Sequence, residues 1–246
     1  ARERNIIMKT LRTKICTYVI ALLVSCGFAT ISMAGSSDFA GIYGAFNASA
    51  GGAQINGTHT DRGGQVSSGQ VGGVFPLAGY EIGFNLPLGD LFFIGAGHSW
   101  TKGGTATIAK AVGDSSGGSS KNSGSDSGTD AAADSSFTLK AKNLKEVYVM
   151  PSISIYDNSA IYVKLGRSIA DTDITGSVTG DTGNLQGDIL GIGTIAMTNS
   201  GIFVKTEGSV TRFNDINVSG VGGSAGAKVE GTPDLVAGTI AIGFKF

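Results

Sequence analysis

The sequence predicts an all-β protein, namely an eight-stranded antiparallel up-and-down transmembrane β-barrel with short turns at one end and long loops at the other. Three observations predict this fold. Segments of alternating apolar and polar residues recur through residues 35–246, and no 3.6-residue apolar period is sustained there. Short connections alternate with long ones along the chain. One face of most strand segments is aliphatic or aromatic and the other is small or charged, as in a wall between lipid and a polar lumen.

Composition agrees with such a barrel and argues against several classes of function. The 246 residues include 40 glycines and 4 prolines, charged residues make up 15%, and the formal net charge is −1. Because no basic excess is present, nucleic acid is not an expected partner. Both cysteines, Cys16 and Cys26, precede the barrel segments, so neither a disulfide framework nor a cysteine-based metal site is expected.

Residues 1–34 are interpreted as an N-terminal extension followed by a cleaved signal peptide. Met8 is the expected initiator, a lysine- and arginine-containing stretch follows it, and Ile15–Val24 forms the apolar region. Ser32-Met33-Ala34 supplies small residues at the expected cleavage site, which leaves residues 35–246 as the barrel domain. The chain is therefore expected to be exported.

Two other interpretations of this segment stay open. Ile15–Ala34 is long and apolar enough for a membrane anchor helix. Leu23-Val24-Ser25-Cys26 resembles a lipidation site, in which Cys26 would carry the lipid. Each alternative still predicts an exported protein.

Eight strands are predicted, with ends uncertain by a few residues. They cover about Phe39–Gly51, Val71–Leu86, Leu91–Ala106, Phe137–Tyr156, Ala160–Asp171, Leu185–Met197, Ile202–Phe213 and Leu235–Phe246. The three short connections are Pro87–Asp90, Asp157–Ser159 and Thr198–Gly201. The four long ones are about Gly52–Gln70, Thr107–Ser136, Thr172–Asn184 and Asn214–Asp234. The Thr107–Ser136 connection is rich in Gly, Ser and Asp, so we expect a mobile surface loop there.

The polar face of the strands predicts a charged lumen. In the second strand, for example, Tyr80, Ile82 and Phe84 oppose Gly79, Glu81 and Gly83. Charges of both signs fall on this polar face, and in a narrow interior they have to pair. The predicted lumen network comprises Glu81, Glu146, Lys164, Lys205, Glu207 and Lys245. The expected partner of Glu81 is either Lys164 or Lys205, since register across strands is not determined by the sequence.

Some residues depart from this pattern. Pro151 lacks a backbone N–H inside a predicted central strand. Arg167 falls on the lipid-facing side, which implies a bulge or a position at the outer membrane interface. The first strand is apolar on both faces, and its even-numbered face is only slightly more apolar.

Several segments resemble small outer-membrane barrels. Tyr80–Phe84, the turn Leu86–Asp90 and Phe92–Gly97 look like their second hairpin, Ile161–Ser168 like their fifth strand, and Ile202–Gly208 like their seventh. The resemblance is to the transmembrane domain of outer membrane protein A and to opacity-like surface antigens, and it spans most of residues 39–246. It implies four surface loops and a charged interior network onto which Glu81, Lys164, Lys205 and Glu207 fall.

The C-terminal strand carries a further resemblance. Ile242, Phe244 and the final Phe246 have a period of two, like the terminal strand that the barrel-assembly machinery recognises. The resemblance thus implies an assembly signal at Phe244 and Phe246. It also implies location in the outer membrane of a Gram-negative bacterium, among outer-membrane lipids and lipopolysaccharide.

Catalysis, metal binding and cofactor binding are not expected. Of the two histidines, His59 lies in a predicted loop, and His98 neighbours Ser99 on a strand, where adjacent side chains point to opposite faces. No catalytic triad is therefore indicated. The acidic residues Asp114, Asp126, Asp130 and Asp134 are interpreted as a solvated loop rather than as a cation site.

The expected function is accordingly a structural, surface-exposed or adhesion-type role, with a lumen that charged residues close and with loops available to an extracellular ligand. One alternative is a small porin or channel for ions or small hydrophobic molecules. A lipid-modifying barrel enzyme is a minor alternative.

Overall fold

The computed structural model describes residues 35–60, 66–101, 105–111, 137–156, 158–176, 184–219 and 228–246. The predicted signal peptide and most of the predicted Thr107–Ser136 loop lie outside these residues. The strands are β1 (Gly41–Thr60), β2 (Val66–Leu88), β3 (Phe92–Thr101), β4 (Thr105–Ala111), β5 (Phe137–Tyr156), β6 (Ser159–Gly176), β7 (Leu185–Met197), β8 (Ile202–Phe213), β9 (Ile216–Ser219) and β10 (Lys228–Lys245). No helix in the described part of the chain is long and apolar enough to cross a membrane.

The sheet closes on itself, which confirms the predicted eight-stranded antiparallel barrel. β1 pairs with β2 on one side and with β10 on the other, and every pairing is antiparallel. The short strands β4 and β9 follow β3 and β8 along the chain and pair with β5 and β10. β4 therefore continues the barrel strand that begins with β3, and β9 continues the one that begins with β8, each after a short interruption. We call the end with the short connections the turn end and the opposite end the loop end.

The strand register gives the dimensions of the barrel. Following paired residues once around the wall leads from Val74 on β2 back to β2 at Phe84, a shear of ten residues from position 74 to position 84. With eight strands about 4.8 Å apart and a rise of about 3.3 Å per residue, this shear tilts the strands by roughly 40° and gives a radius of roughly 8 Å. Side chains fill an interior of that size.

Several predicted loops are shorter than expected because the strands continue through them. β1 and β2 pair as far as Thr60 and Val66, so the predicted Gly52–Gln70 loop is mostly a hairpin extension. β6 likewise continues to Gly176, and β10 begins at Lys228. Glycine, asparagine and aspartate weaken the strand signal in these segments. Backbone hydrogen bonds to the adjacent strands stabilise these extensions even though their residues favour strands only weakly.

At the loop end, the strand extensions are apolar on the inside and polar on the outside, which is the reverse of the predicted lumen region. Inside them lies an apolar cluster, the loop-end cluster, whose buried members are Ala53, Ile55, Phe75, Leu139, Ala170, Leu185, Phe213, Ile216 and Leu235. On the outside, Asn56 and Asn217 are exposed, and Lys142 Nζ lies 2.6 Å from Asp173 Oδ2. This hydrogen bond lowers the pKa of the Asp173 carboxyl. An apolar interior beneath a polar exterior is the arrangement of a barrel in water.

A bulge in β5 separates the two regions. The pairing of β5 with β6 shifts register between Lys142 and Lys145, and Asn143 has a φ of 53°. Asparagine tolerates this left-handed conformation better than most residues, and its Nδ2 donates to Asp171 Oδ2 at 2.8 Å. The extra residue reverses the alternation of faces, so Leu139 above the bulge and Glu146 below it both face inward.

Pro151 lies inside β5, opposite Ile94 of β3. On its other side, pairing with β6 is recorded at Val149 and again at Ser152, in the same register. Pairing between β5 and β6 is therefore interrupted at Pro151, which has no N–H to donate, and the register does not shift there.

A 3-10 turn, Ser36–Phe39, closes the turn end. The Phe39 ring is buried and stacks on Phe93, with ring centroids 4.9 Å apart. Ser36 N donates to Asp90 O at 2.7 Å, and Asn85 Nδ2 donates to Phe39 O at 3.0 Å. These contacts fasten the segment that precedes β1 to the β2–β3 hairpin.

Candidate functional site

The outer surface between the turn end and the level of Tyr80 and Trp100 is apolar, and we call it the membrane belt. Phe46 is 79% exposed and Ile192 62% exposed. The other exposed large apolar residues of the belt are Ile42, Ile82, Phe84, Leu86, Ile94, Val147, Val149, Ile161, Leu190, Ile202, Val204, Val210, Val236, Ile240, Ile242 and Phe244. A continuous apolar exterior around a polar interior is the arrangement of a membrane-spanning barrel.

Inside the membrane belt, charged side chains meet across the lumen. Lys205 of β8 reaches Glu81 of β2, and its Nζ lies 2.5 Å from Oε1 and 2.7 Å from Oε2. Both side chains are almost fully buried, at 2% and 4% exposure. The partner of Glu81 is thus Lys205, one of the two candidates that the sequence left open.

A second group of charges lies beside this pair. Lys164 Nζ of β6 donates to Glu146 Oε2 at 2.7 Å and to Glu207 Oε1 at 2.9 Å. Ser99 Oγ donates to the same Glu146 oxygen at 3.0 Å. Five of the six predicted lumen residues therefore form two adjacent ion-paired groups that join β2, β5, β6 and β8.

Tyrosines connect the two groups, and sequence reasoning did not assign them to the site. Tyr148 OH lies 3.3 Å from Glu81 Oε2 and 3.3 Å from Tyr43 OH, and Tyr162 OH donates to Glu207 Oε2 at 3.0 Å. The Tyr148 ring also lies 4.7 Å from Lys164 Nζ and 5.6 Å from Lys205 Nζ, within the range of cation–π attraction. The sequence did carry a signal for them. Tyr148 is two residues from Glu146 and Tyr162 is two residues from Lys164, so each tyrosine lies on the same face of its strand as a predicted lumen charge.

Glycines on neighbouring strands make room for these rings. A Cβ at Gly83 would lie 2.4 Å from the Tyr43 ring, one at Gly97 2.6 Å from Tyr148 OH, and one at Gly193 2.4 Å from the Tyr162 ring. Such distances are too short for carbon atoms. Gly83, Gly97 and Gly193 therefore leave the space that the three tyrosine side chains occupy.

The charged groups lie between two apolar layers. The loop-end cluster is on one side. The other, the turn-end cluster, consists of Phe39, Tyr43, Ala45, Phe93, Tyr148, Met150, Ala160, Tyr162, Ile195, Phe203 and Ala241. A cavity of about 40 Å³ adjoins the charges and is lined by all five of them, together with Ser99, Ser209 and Thr211. It has room for about three waters. Cavities of about 20 Å³ lie nearer each end.

Lys245 does not join the lumen charges. Its Nζ donates to Asp38 O at 2.7 Å, at the 3-10 turn. The five remaining residues comprise three carboxylates and two ammonium groups. The prediction that Lys245 belongs to the lumen network is therefore wrong, and the cluster carries one more carboxylate than ammonium.

Phe244 and Phe246 lie on the exterior at the turn end. They are 43% and 78% exposed, and their rings meet edge to face with centroids 5.3 Å apart. Phe246 N donates to Ile42 O at 2.9 Å, which ties the C-terminus to β1.

The residues considered for catalysis do not converge. His98 lies on the exterior beside Trp100, with ring centroids 4.6 Å apart, whereas Ser99 faces the lumen. The side chain of His59 and the aspartates of the Thr107–Ser136 segment lie outside the described side chains. Within the described part of the chain, no group of three or more His, Cys, Asp or Glu side chains is placed to hold a metal ion.

Comparison with known proteins gives similarities among solved structures. No family model matches the chain, and no curated protein does so. It is similar to the outer membrane protein OprG from Pseudomonas aeruginosa, at 13% identity over 84% of this chain and 96% of that one, with a TM-score of 0.47. The attachment invasion locus protein Ail of Yersinia pestis has 10% identity over 79% and 97%, with a TM-score of 0.33. Neisserial surface protein A has 11% identity over 82% and 97%, with a TM-score of 0.33. At these identities the similarity concerns the fold alone.

Proposed function

We propose that this chain is an outer-membrane β-barrel with a structural, surface-exposed or adhesion-type role, and that its lumen is closed to ions. The observation that carries the proposal is the lumen cluster itself. Buried Lys–Glu pairs cross the barrel between two apolar layers, and the cavity that all five charges line has room for only about three waters. An ion would have to break these pairs and then cross both layers.

The loop-end extensions support a surface role. Five long strands continue past the membrane belt, and their polar exterior and apolar interior suit a rigid projection in water. Such a projection raises the connecting segments above the lipid surface, where they are available to an extracellular ligand. Export through residues 1–34 and insertion by the barrel-assembly machinery through Phe244 and Phe246 are part of the proposal.

Cysteine labelling on intact cells tests the location and orientation. Residues 35–246 contain no cysteine, so a single introduced thiol reports one position. Asn217→Cys at the loop end should react with a membrane-impermeant maleimide on intact cells. The matched Asn199→Cys variant at the turn end should react only after lysis. Labelling of Asn199→Cys alone on intact cells, or recovery outside the outer-membrane fraction, would contradict the proposal.

The channel alternative makes a different prediction. If the lumen conducts, the purified protein should show steady single-channel currents in a planar bilayer, and these should change when the Lys205–Glu81 pair is altered. A lipid-modifying activity has less support, because His98 and Ser99 face opposite sides of the wall.

A further inference from the structure

Two threonines face outward in the middle of the membrane belt. Thr206 of β8 is halfway between the exposed residues Ile202 and Val210, and Thr194 of β7 is opposite it in the register. Their Oγ1 atoms lie 2.8 Å apart, so the two hydroxyl hydrogens share one hydrogen bond. Neither side chain has another hydrogen-bond partner in the part of the chain that the structure describes. In hydrocarbon a hydroxyl hydrogen without an acceptor is unfavourable, and threonines there often bond to a neighbouring segment.

The wall beside these threonines is depressed. A Cβ atom at Gly208 of β8 or at Gly238 of β10 would have no atom within 4 Å. A groove along the exterior is lined by both glycines and by both threonines. On the other side of β8, the side chain of Leu190 of β7 is 44% exposed. We call Leu190, Thr194, Thr206, Gly208 and Gly238 the β8 face.

The register places Leu190 and Gly238 at the same height in the membrane. Paired residues run from Leu190 of β7 through Val210 of β8 to Val236 of β10. A shear of ten residues over eight strands moves equal height by about 1.25 residues per strand, or about 2.5 residues over these two steps. The height of Leu190 on β10 is therefore about 2.5 residues from Val236 towards the turn end, close to Gly238. A projecting side chain and a position without one thus flank β8 at one level.

We propose that the β8 face binds a second copy of this chain, in a two-fold dimer whose axis is parallel to the membrane normal. Copies inserted in the same orientation keep each residue at its own height, so an axis beside β8 brings the two Thr206 residues together, and likewise the two Gly208 residues. β7 of each copy then faces β10 of the other, and Leu190 fills the space outside Gly238. The glycines let the two backbones approach, and the Thr206 oxygen of one copy accepts the remaining hydroxyl hydrogen of the other.

The available area predicts a reversible dimer. Three neighbouring strands about 4.8 Å apart, crossing an apolar band about 25 Å tall at a tilt of about 40°, offer about 450 Å² per copy. Two copies would bury about 900 Å² in total, which is in the range of weak and transient complexes. We therefore expect monomer and dimer to exchange as the density of protein in the membrane changes. If lipid alone covers the β8 face, the chain stays monomeric at every density.

Cysteine cross-linking tests the position of the axis. In a Cys16→Ser/Cys26→Ser background, Thr206→Cys supplies the single thiol of the chain. Oxidation of the refolded protein in lipid vesicles should give a disulfide-linked dimer, because residues beside a two-fold axis come within the roughly 7 Å between Cα atoms that a disulfide allows. In the matched control, Ala96→Cys is exposed on β3, on the opposite side of the barrel and at nearly the same height. It should give about tenfold less cross-linked protein, since it meets another copy by collision only.

Size variants test the depression. Gly208→Leu should leave each copy folded, because the space outside Gly208 is open, and should weaken association about tenfold or more by keeping the backbones apart. The matched control Ala96→Leu should associate within about twofold of the unmodified protein. Energy transfer between copies labelled at Asn217→Cys, in the same cysteine-free background, measures association as the protein-to-lipid ratio is varied.

Three results would overturn the proposal. They are energy transfer of the unmodified protein no greater than random mixing gives, equal association of the Gly208→Leu variant, and equal cross-linking through Thr206→Cys and Ala96→Cys. The inference rests on the proposed membrane location, and the two fail separately. A folded outer-membrane protein that remains monomeric refutes the dimer alone, whereas a chain absent from the outer membrane refutes the proposed function.

Discussion

Lys205→Met removes one charge from the lumen and keeps most of the side-chain volume. In the native protein the Lys205 ammonium and the Glu81 carboxylate are 2% and 4% exposed and lie within 2.7 Å of each other. The substitution leaves Glu81 buried with a tyrosine hydroxyl as its remaining partner. Loss of one member of a buried pair costs about 3–5 kcal/mol. Because the 40 Å³ cavity can supply a few waters to the carboxylate, we expect the lower end of that range.

A double-mutant cycle separates the pair from other effects of the substitution. Glu81→Gln and Lys205→Met should couple by about 2–3 kcal/mol, since the double variant removes both charges of this pair together. The corresponding cycle between Glu81 and Lys164 should give a smaller coupling, because Lys164 contacts Glu146 and Glu207 instead. Lys142→Ala serves as the exposed control and should cost about 0–1 kcal/mol.

Urea unfolding of the refolded protein in lipid vesicles measures these free energies. Trp100 fluorescence and heat-modifiable gel mobility report the same transition by two methods. If the coupling of Glu81 with Lys205 is near zero, or if Glu81 couples more strongly with Lys164, the buried pairing described above is wrong.

Three further predictions concern packing, backbone geometry and assembly. Gly193→Ala should destabilise the barrel by about 1–3 kcal/mol in urea unfolding, because its Cβ would overlap both the Thr206 carbonyl oxygen and the Tyr162 ring, whereas Gly208→Ala, with nothing within 4 Å, should stay within about 0.5 kcal/mol; equal effects would contradict the close packing described at Gly193. Asn143→Ala should cost about 1–2 kcal/mol and Asn143→Gly much less, because of the left-handed conformation at the bulge; an equal loss in both variants would show that the Asn143 side-chain hydrogen bond matters more than φ. Deletion of Phe246, whose side chain is 78% exposed, should leave refolding of purified protein nearly unchanged while its outer-membrane level in cells falls sharply, and unchanged cellular levels would exclude an assembly role.

The barrel and its two faces were predictable because both depend on a local pattern. Period-two alternation assigns Ile82 and Glu81 to opposite sides of β2 without any knowledge of neighbouring strands. The same parity places Lys164 and Lys205 in the lumen. These inferences need no long-range information, and the structure has the same inward and outward assignment at these positions.

Pairing between strands was not predictable in the same way. The choice of Lys205 over Lys164 for Glu81 depends on the register around the whole wall, which a single sequence does not contain. The loop-end extensions were missed because their segments are rich in glycine and contain asparagine and aspartate, residues that are typical of loops. The bulge at Asn143 was missed as well, although it decides that Leu139 and Glu146 face the same side.

Lys245 shows the limit of parity for the site itself. It lies at a position of β10 whose side chain is on the lumen face, yet its ammonium group donates to the carbonyl oxygen of Asp38, in the 3-10 turn before β1 at the turn end. Periodicity does not report on a segment that folds back from outside the strands.

Single-channel recording in planar bilayers tests the central claim, a membrane-spanning barrel closed by buried charge pairs, most directly. The purified, refolded protein should insert with heat-modifiable mobility and show no steady conductance, and Lys205→Met should at most add brief, irregular openings. A large, steady conductance of the unmodified protein would contradict a closed lumen and favour an open pore.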